Sequence, residues 1–234
     1  MFDKLFSPEV IEETLKIVQR EIPLALWETF YVTLLSTLFA VIIGLPLGVL
    51  LVIGEEDGIR PLPKALMSFL NILINILRSV PFLILMILVF PLTRLIVGTT
   101  VGTVASIVPL VIAAFPFVAR LVESSLREVD PNILEAAQSM GASVLEIITK
   151  VMIPESVPSL ISNFTIAVTT VLGYTAMSGI IGGGGLGKIA INYGYYRYKY
   201  LVMLIAVILL VALVQVFQTV GTRLTLKLDK RLKK

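Results

Sequence analysis

The sequence predicts an all-α integral membrane protein with about five transmembrane helices. Hydrophobic residues make up 57% of the 234 residues and charged residues only 15%, whereas soluble domains carry about 25% charged residues. The apolar runs are continuous and lack the alternation of membrane β-strands. Because a helix satisfies its own backbone hydrogen bonds inside lipid, these runs are expected to cross the bilayer as helices.

The sequence contains no histidine and no cysteine. These residues often serve as catalytic groups or metal ligands. Their absence excludes disulfides, thiolate nucleophiles, imidazole bases and the usual zinc and copper sites. We therefore predict no catalytic residue and no metal site in this chain. The net charge is only +3, and the basic residues lie beside the apolar runs, so nucleic acid is not an expected partner.

Residues 1–25 predict an interfacial amphipathic helix. The start lacks the basic and apolar regions of a cleavable signal peptide, so we expect it to be retained. Pro8 behind Ser7 is typical of a helix start, and apolar residues then recur at helical spacing opposite charged ones. Pro23 is expected to end this helix. A frayed, solvated terminus is the alternative.

Residues 26–222 are predicted to form the transmembrane domain. In the first span, residues 26–53, Gly44 and Gly48 are spaced so that another helix can approach closely. The second apolar stretch, residues 62–97, is too long for one straight span, and we predict one long helix that is kinked at Pro81 and ends near Pro91. Two crossings separated at Arg78 are the alternative. The remaining predicted spans cover residues 101–118, 160–180 and 201–220.

The basic residues predict the orientation of the chain. Five crossings place the two termini on opposite sides, and lysine and arginine are more numerous on the side that holds the C-terminal tail, residues 223–234. Cytoplasmic segments carry such an excess. We therefore expect a cytoplasmic C-terminus and an external N-terminus.

The polar segment 127–158 predicts two short helices joined by a hinge. Asp130 followed by Pro131 is typical of an N-cap and a first helical residue, and Gly141 is a typical stop. Ser143 and Glu146 then predict a capping box for a second helix, which Pro154 is expected to end.

The first of these helices has a surface suited to contact with another protein. Ile133, Ala137 and Met140 fall on one face, and Ala136 and Ala137 keep part of the surface small. The helix is only about 15 Å long. A helix of this length is not stable alone, so we expect contact with the membrane domain or with a partner to order it.

Glu135, Ala136, Ala137 and Gly141, followed by Pro154 and Pro158, resemble the EAA motif of bacterial ABC importer permeases. The resemblance implies the type I importer permease fold, with residues 131–141 as the coupling helix that docks on an ATP-binding subunit. An ordinary loop helix is the alternative. The residues to which the resemblance assigns ATPase coupling are Asp130, Pro131, Ile133, Leu134, Glu135, Ala136, Ala137, Met140 and Gly141.

The resemblance extends over most of the chain and narrows to the methionine importer permeases. It is carried by the segments LRSVPFLIL, PLTRLIVGT, VPLVIAAFPFVARLVE, LGYTAMSGIIGGGGLGKI and NYGYYRY. The N-terminal helix matches least, and related amphipathic amino acids stay open as substrates.

Gly182, Gly187 and Lys188 form a G-x-x-x-x-G-K pattern that is close to a phosphate-binding P-loop. A P-loop needs Ser or Thr where this chain has Ile189, and it follows a buried strand rather than a membrane helix. We therefore interpret the segment as an external flexible turn. The chain is not expected to bind a cofactor, and ATP and Mg²⁺ are expected on a separate ATPase subunit.

Four residues are candidates for the transport pathway or its gate. Arg78 lies in an apolar stretch, where a charged residue is a functional candidate; capping of carbonyls freed by Pro81 is the alternative. Tyr174, Met177 and Ser178 lie at the end of the fourth predicted span, where the thioether of Met177 suits an adaptable apolar seal. Core packing is the alternative for each of them.

The resemblance implies a permease subunit of an ATP-driven importer for L- and D-methionine in the bacterial inner membrane. The implied partners are a second copy of the chain, two ATP-binding subunits, an extracytoplasmic substrate-binding lipoprotein and the lipid bilayer. Alternating access is the implied mechanism. An importer for another amino acid or small solute, an ion-coupled secondary transporter and an intramembrane enzyme are the alternatives.

Overall fold

The computed structural model describes residues 7–229, and this part of the chain is helical without strands. The helices of the first half are α1 Pro8–Ile53, α2 Lys64–Ser79, α3 Phe82–Leu88, α4 Phe90–Val97 and α5 Ile107–Leu126. The helices of the second half are α6 Pro131–Ser139, α7 Val144–Glu146, α8 Ile153–Ser178, α9 Gly185–Ile189 and α10 Tyr200–Leu228. Two π-helical segments, Ile147–Met152 and Ala190–Tyr195, and a 3-10 turn, Gly179–Ile181, lie between them.

The predicted fold class, an all-α membrane protein, is confirmed. Within residues 7–229 four helices are long and apolar enough to cross a membrane, and α2 with α3 would add a fifth if they form one broken span. The chain divides into two compact units. The first unit contains the described residues of Met1–Thr37, Phe82–Val111 and Val168–Phe217, and the second contains those of Leu38–Pro81, Ile112–Ala167 and Gln218–Lys234.

Helix α1 begins at Pro8 as predicted, but the predicted end near Pro23 is wrong. The helix continues for 46 residues. Ile22 and Ala25, on either side of the proline, are buried in an apolar cluster with Leu186 and Val202. This packing stabilises helical backbone through a residue that locally disfavours it by about 3 kcal/mol. Of the predicted N-terminal helix 1–25, residues 1–6 lie outside the described part.

The length of α1 has a consequence for its position in the membrane. A helix of 46 residues is about 69 Å long, whereas a bilayer with its headgroups is about 40–45 Å thick. If α1 crosses the bilayer as one span, part of it therefore extends beyond the headgroups. Glu13, near its N-terminal end, forms an ion pair with Lys199.

The predicted interruption at Pro81 is present, but residues 62–97 do not form the one kinked helix that the sequence predicts. The chain breaks at Val80 and Pro81, where α2 and α3 are bent by 108°. Val80 is extended, with φ −78° and ψ 126°, because the proline ring disfavours helical backbone in the preceding residue. Pro91 does not end a helix but lies in the first turn of α4.

Pro154 does not end the helix that precedes it, contrary to the prediction. The π-helical segment Ile147–Met152 leads directly into α8, and the Ile153 N–H donates to the carbonyl of Ile148. A proline ring clashes with the carbonyl four residues earlier in a regular α-helix. The wider π-turn just before Pro154 provides an alternative hydrogen-bond pattern there, so the helix continues through the proline.

Two other boundaries differ from the prediction. Helix α5 covers Ile107–Leu126 rather than residues 101–118, and its last turns are held by the buried Val122 and Leu126. Helix α10 extends to Leu228, so the predicted tail 223–234 begins as helix. Residues 230–234 of that tail lie outside the described part.

Close helix contact in the second unit depends on Gly44 and Gly48, as their spacing predicts. A Cβ atom at Gly48 would lie 2.6 Å from the carbonyl oxygen of Ala119, and one at Gly44 would lie 2.8 Å from Val118. Both neighbours belong to α5. Glycine therefore allows the backbones of α1 and α5 to approach more closely than any other residue would.

Replacing Gly48 by alanine is expected to lower the free energy of unfolding by about 1–3 kcal/mol, the usual effect of forcing a methyl group into a packed core. The measurement is the thermal unfolding midpoint of the purified chain in detergent. Gly173→Ala is the matched control, because a Cβ there meets nothing within 4 Å. Equal midpoints for the two variants would contradict the prediction.

Candidate functional site

The predicted coupling helix is α6, and its first turn is capped as the sequence predicts. Asp130 is extended, with φ −60° and ψ 122°, and Pro131 is the first helical residue. The Asp130 carboxylate accepts hydrogen bonds from the backbone N–H of Asn132 at 2.9 Å and from its side-chain amide at 2.8 Å. The start of α6 is therefore fixed by three consecutive residues.

The end of α6 is fixed by Gly141, which has a φ of +77°. The Gly141 N–H donates to Gln138 O at 2.9 Å, and the Ala142 N–H donates to Ala137 O at 3.1 Å. A left-handed residue of this kind lets the N–H groups beyond the helix satisfy its last carbonyls, and only glycine adopts it without strain. Gly141 thus acts as the predicted stop.

The capping box after the hinge is also confirmed. The Ser143 N–H donates to the Glu146 carboxylate at 3.1 Å, and the Glu146 N–H donates to Ser143 Oγ at 3.4 Å. Lys150 adds an ion pair to Glu146 at 2.9 Å. Local residues therefore determine where α6 ends and where the next helix begins.

The surface of α6 is not the single face that the sequence predicts. Ala137 is buried, with 4% of its surface exposed, whereas Met140 is 81% exposed and Ile133 is 43% exposed. Leu145, which belongs to no recognised sequence motif, is 69% exposed just beyond the hinge. Of the other predicted coupling residues, Leu134 is half-buried, and Asp130, Pro131, Glu135, Ala136 and Gly141 are exposed.

Arg127 anchors the base of α6 within the second unit. Its guanidinium donates to Glu55 at 2.9 Å and to Glu123 at 2.8 Å. These hydrogen bonds, first with Glu55 and then with Glu123, raise the pKa of Arg127 above its ordinary value, so the side chain stays charged. Charge-assisted bonds from a forked guanidinium fix geometry well. The two glutamates lie 72 and 4 residues from Arg127, and no local pattern identifies the first of them.

The predicted gate residues of α8 lie in the first unit and differ in their surroundings. The Tyr174 ring stacks on Phe82, with 4.6 Å between ring centroids and 5° between the planes. Met177 is 45% exposed, whereas Ser178 is fully buried and donates to Thr175 O at 2.7 Å. Met177 therefore presents a surface, and Ser178 belongs to the core.

Arg78, the fourth predicted pathway residue, belongs to the second unit. It lies in the last turn of α2 and is exposed. Among residues 7–229 no ion pair involves its guanidinium. The structure thus brings Tyr174 and Met177 onto one helix of the first unit, whereas Arg78 lies on a helix of the second.

The Gly-rich segment after α8 is not the flexible turn that the sequence predicts. Residues 183–187 are buried, and a Cβ atom at Gly187 would lie 2.1 Å from Ala176 O. Helix α1 and the chain before α5 hold the segment: the Gly185 N–H donates to Glu28 at 2.8 Å, and Thr103 Oγ1 donates to the same carboxylate at 2.8 Å. The Leu186 N–H donates to Thr29 Oγ1 at 2.8 Å.

In residues 182–188 these contacts occupy N–H groups that a P-loop would offer to phosphate. Helix α8, not a strand, precedes the segment. A P-loop offers free backbone N–H groups to the phosphates, but the N–H groups of Gly185 and Leu186 already donate to Glu28 and Thr29. Glycine is needed here because the backbone packs closely.

The chain is similar to known transport proteins over most of its length. Residues 44–234 match the family model described as the binding-protein-dependent transport system inner membrane component. A relative from Vibrio cholerae, a probable D-methionine transport system permease protein MetI, is 47% identical over 210 residues, which cover 88% of this chain and 92% of the relative. The methionine import system permease protein MetP of Bacillus subtilis is 46% identical over 72% of this chain and 76% of its own length.

Solved structures share the fold. The inward-facing MetNI methionine ABC transporter matches with a TM-score of 0.86 and 42% identity, covering 88% of this chain and 95% of that chain. An amino acid ABC transporter crystallised with histidines matches with a TM-score of 0.67, 20% identity and coverage of 95% of this chain and 97% of that chain. The second likeness concerns the fold alone.

Replacing Asp130 by alanine is expected to destabilise the first turn of α6 by about 1 kcal/mol, the usual effect of losing an N-cap. Amide hydrogen exchange around Asn132 should then be about fivefold faster. Asp57→Ala, in the loop between α1 and α2, is the control and should leave these amides unchanged. Unchanged exchange in the Asp130 variant would show that the cap does not order the helix.

Proposed function

Because the chain belongs to the family of binding-protein-dependent transport system inner membrane components, we propose that it is the permease subunit of an ATP-driven methionine importer. The observation that carries the proposal is α6, a short helix with both ends fixed and an exposed apolar residue, Met140, at its end. The EAA residues Glu135, Ala136 and Ala137 lie on this helix. Their presence there supports its role as the coupling helix.

Methionine, as both enantiomers, is the proposed substrate. The V. cholerae relative is named as a probable D-methionine transport permease, and the MetNI structure is that of a methionine transporter. Met177 and the adjoining open surface at Gly173 support a pathway for a small, amphipathic amino acid. A thioether adapts its shape to an apolar solute at low cost. Another amino acid or small solute is the alternative substrate.

The energy for transport comes from two partner ATPase subunits, which bind ATP and Mg²⁺. The N–H groups of Gly185 and Leu186 support a separate site for ATP, because they already donate to Glu28 and Thr29 and are not free for a phosphate. Met140, Ile133 and Leu145 supply the apolar surface that docks on the ATPase. No residue of this chain performs bond chemistry in the proposed mechanism.

The complete importer contains two copies of this chain, two ATPase subunits and an extracytoplasmic substrate-binding lipoprotein. The chain lies in the bacterial inner membrane with its N-terminus outside and its C-terminus in the cytoplasm. ATP binding closes the ATPase pair and displaces α6, and the membrane helices then change the side to which the pathway opens. Met177 contacts the substrate, and Tyr174, stacked on Phe82, forms part of the gate.

An ion-coupled secondary transporter, the alternative of another class, needs titratable groups inside spanning helices. Glu28 lies in such a helix, α1, and Glu123 in another, α5. Both are held by hydrogen bonds from this chain. Uptake into vesicles that depends on an ion gradient and not on ATP would favour this alternative.

Purification of the tagged chain from its native membrane is expected to bring an ATPase subunit with it. Met140→Asp should reduce the recovered ATPase by at least about tenfold, because docking would then bury an unpaired charge. Met140→Leu is the matched control and should retain the ATPase. Replacement of Glu135 or Gly141 should abolish ATP-dependent uptake, and full uptake by both variants would falsify the coupling assignment.

Uptake of labelled L-methionine by the reconstituted complex should be reduced by excess L- or D-methionine and not by other amino acids. Met177→Ala should lower methionine uptake while ATPase recovery stays normal, because the change removes the proposed pathway contact and leaves the docking surface intact. Equal competition by amino acids of other shapes would assign a different substrate class.

A further inference from the structure

A network of polar side chains joins α2 to α5 in the second unit. The Arg120 guanidinium donates to Glu123 at 2.7 Å through one nitrogen, and through another to Asn71 at 2.7 Å and to Asn75 at 3.2 Å. Arg120 and Glu123 belong to α5, and the two asparagines belong to α2. One arginine therefore connects two helices through three acceptors.

Glu123 lies at the centre of this network and is one of the few buried charged residues among residues 7–229, with 9% of its surface exposed. One of its oxygens accepts from Arg120 at 2.7 Å, and the other accepts from Arg127 at 2.8 Å. Arg127 also binds Glu55, in the loop after α1. Two arginines thus share one carboxylate, which fixes their positions relative to each other.

Apolar packing beside the network makes the contact between α2 and α5 continuous. Met67 and Ile74 of α2 are buried in a cluster with Ala119 of α5 and Leu51 of α1. Met67, Asn71 and Ile74 are spaced at three and four residues, so they share one face of α2. This face makes the apolar contact and, through Asn71, the polar one.

The network is connected along the chain to the coupling helix α6 and to Phe82. At one end, Arg127 is three residues before Asp130, the N-cap of α6. At the other end, α2 stops at Ser79, and the first residue of α3 after Pro81 is Phe82, which stacks on Tyr174. A displacement of α6 can therefore pass through Arg127 and Glu123 to Arg120 and α2, and then along the chain through Val80 and Pro81 to Phe82.

We propose that Arg120 and Glu123 are positioning residues that force α2 to move with the base of α6, so that the motion of the coupling helix reaches Phe82 and Tyr174. This inference rests on the proposed function, since it assigns the route by which the ATPase acts on the gate. The asparagines of α2 receive the motion, and Arg120 transmits it. None of these residues contacts substrate or nucleotide.

The double variant Asn71→Leu with Asn75→Leu tests the route without leaving a charge unpaired. It removes both acceptors on α2, while Arg120 keeps Glu123 and Glu123 keeps Arg127. The conservative double variant, Asn71→Asp with Asn75→Asp, retains acceptors of the same shape and adds attraction to the guanidinium. The matched control, Glu56→Gln with Lys64→Gln, removes an exposed ion pair at the start of α2.

The measurement is methionine uptake per ATP hydrolysed by the complete complex in proteoliposomes, together with ATPase recovery and the thermal unfolding midpoint. In the leucine variant we expect uptake per ATP to fall by about five- to tenfold, within the range of typical coupling energies, while assembly and the unfolding midpoint stay unchanged. The aspartate variant should restore the ratio to at least half of its original value, and the control should not alter it.

Two results overturn the proposal. An unchanged ratio in the leucine variant shows that α2 does not carry the coupling. A loss of uptake that is accompanied by lower ATPase recovery or a lower unfolding midpoint, without rescue by aspartate, shows that the network only stabilises the fold. If the unmodified complex lacks an ATPase or does not take up methionine, the proposed function itself fails, and this outcome is distinct from both.

Discussion

The long helices of this chain depend on one constraint: inside a bilayer every backbone N–H and C=O group needs a partner within the protein. A proline removes one donor, and the chain meets the constraint differently at Pro23, Pro154 and Pro81. At Pro23 the helix continues because its neighbours are buried in an apolar cluster. Before Pro154 a π-turn changes the hydrogen-bond pattern. At Pro81 no such compensation exists, and the helix breaks with a bend of 108°.

The fold class, both ends of α6 and the start of α7 could be predicted from the sequence because their causes are local. Asp130, Gly141 and the pair Ser143 and Glu146 each act on backbone groups within a few residues. The continuation of the helix through Pro23 could not be predicted, because it depends on packing against residues far away in the chain. The same holds for the clasp of Glu28 on Gly185, which are 157 residues apart, and hence for the buried state of the Gly-rich segment.

The structure of the predicted coupling helix depends both on local caps and on contacts with residues distant in the sequence. Its helix ends are set by its own residues, whereas its attachment to the rest of the second unit depends on Arg127 and two glutamates. This combination suits a part that transmits force, since a rigid element with a defined anchor moves as one body. The sequence pattern could identify the element from its caps and its EAA residues, but only the three-dimensional structure identifies the anchor.

The Gly-rich segment has the spacing of a phosphate-binding loop, and yet its backbone binds a carboxylate of the same chain, that of Glu28 in α1. The Glu28 carboxylate accepts the Gly185 N–H, an interaction that a phosphate oxygen makes in a true P-loop. This backbone N–H group is therefore already bound to a side chain of the same chain. A sequence that matches such a motif can thus need its glycines for contacts within its own fold. A carboxylate bound to the loop N–H groups distinguishes such a loop from one that binds phosphate.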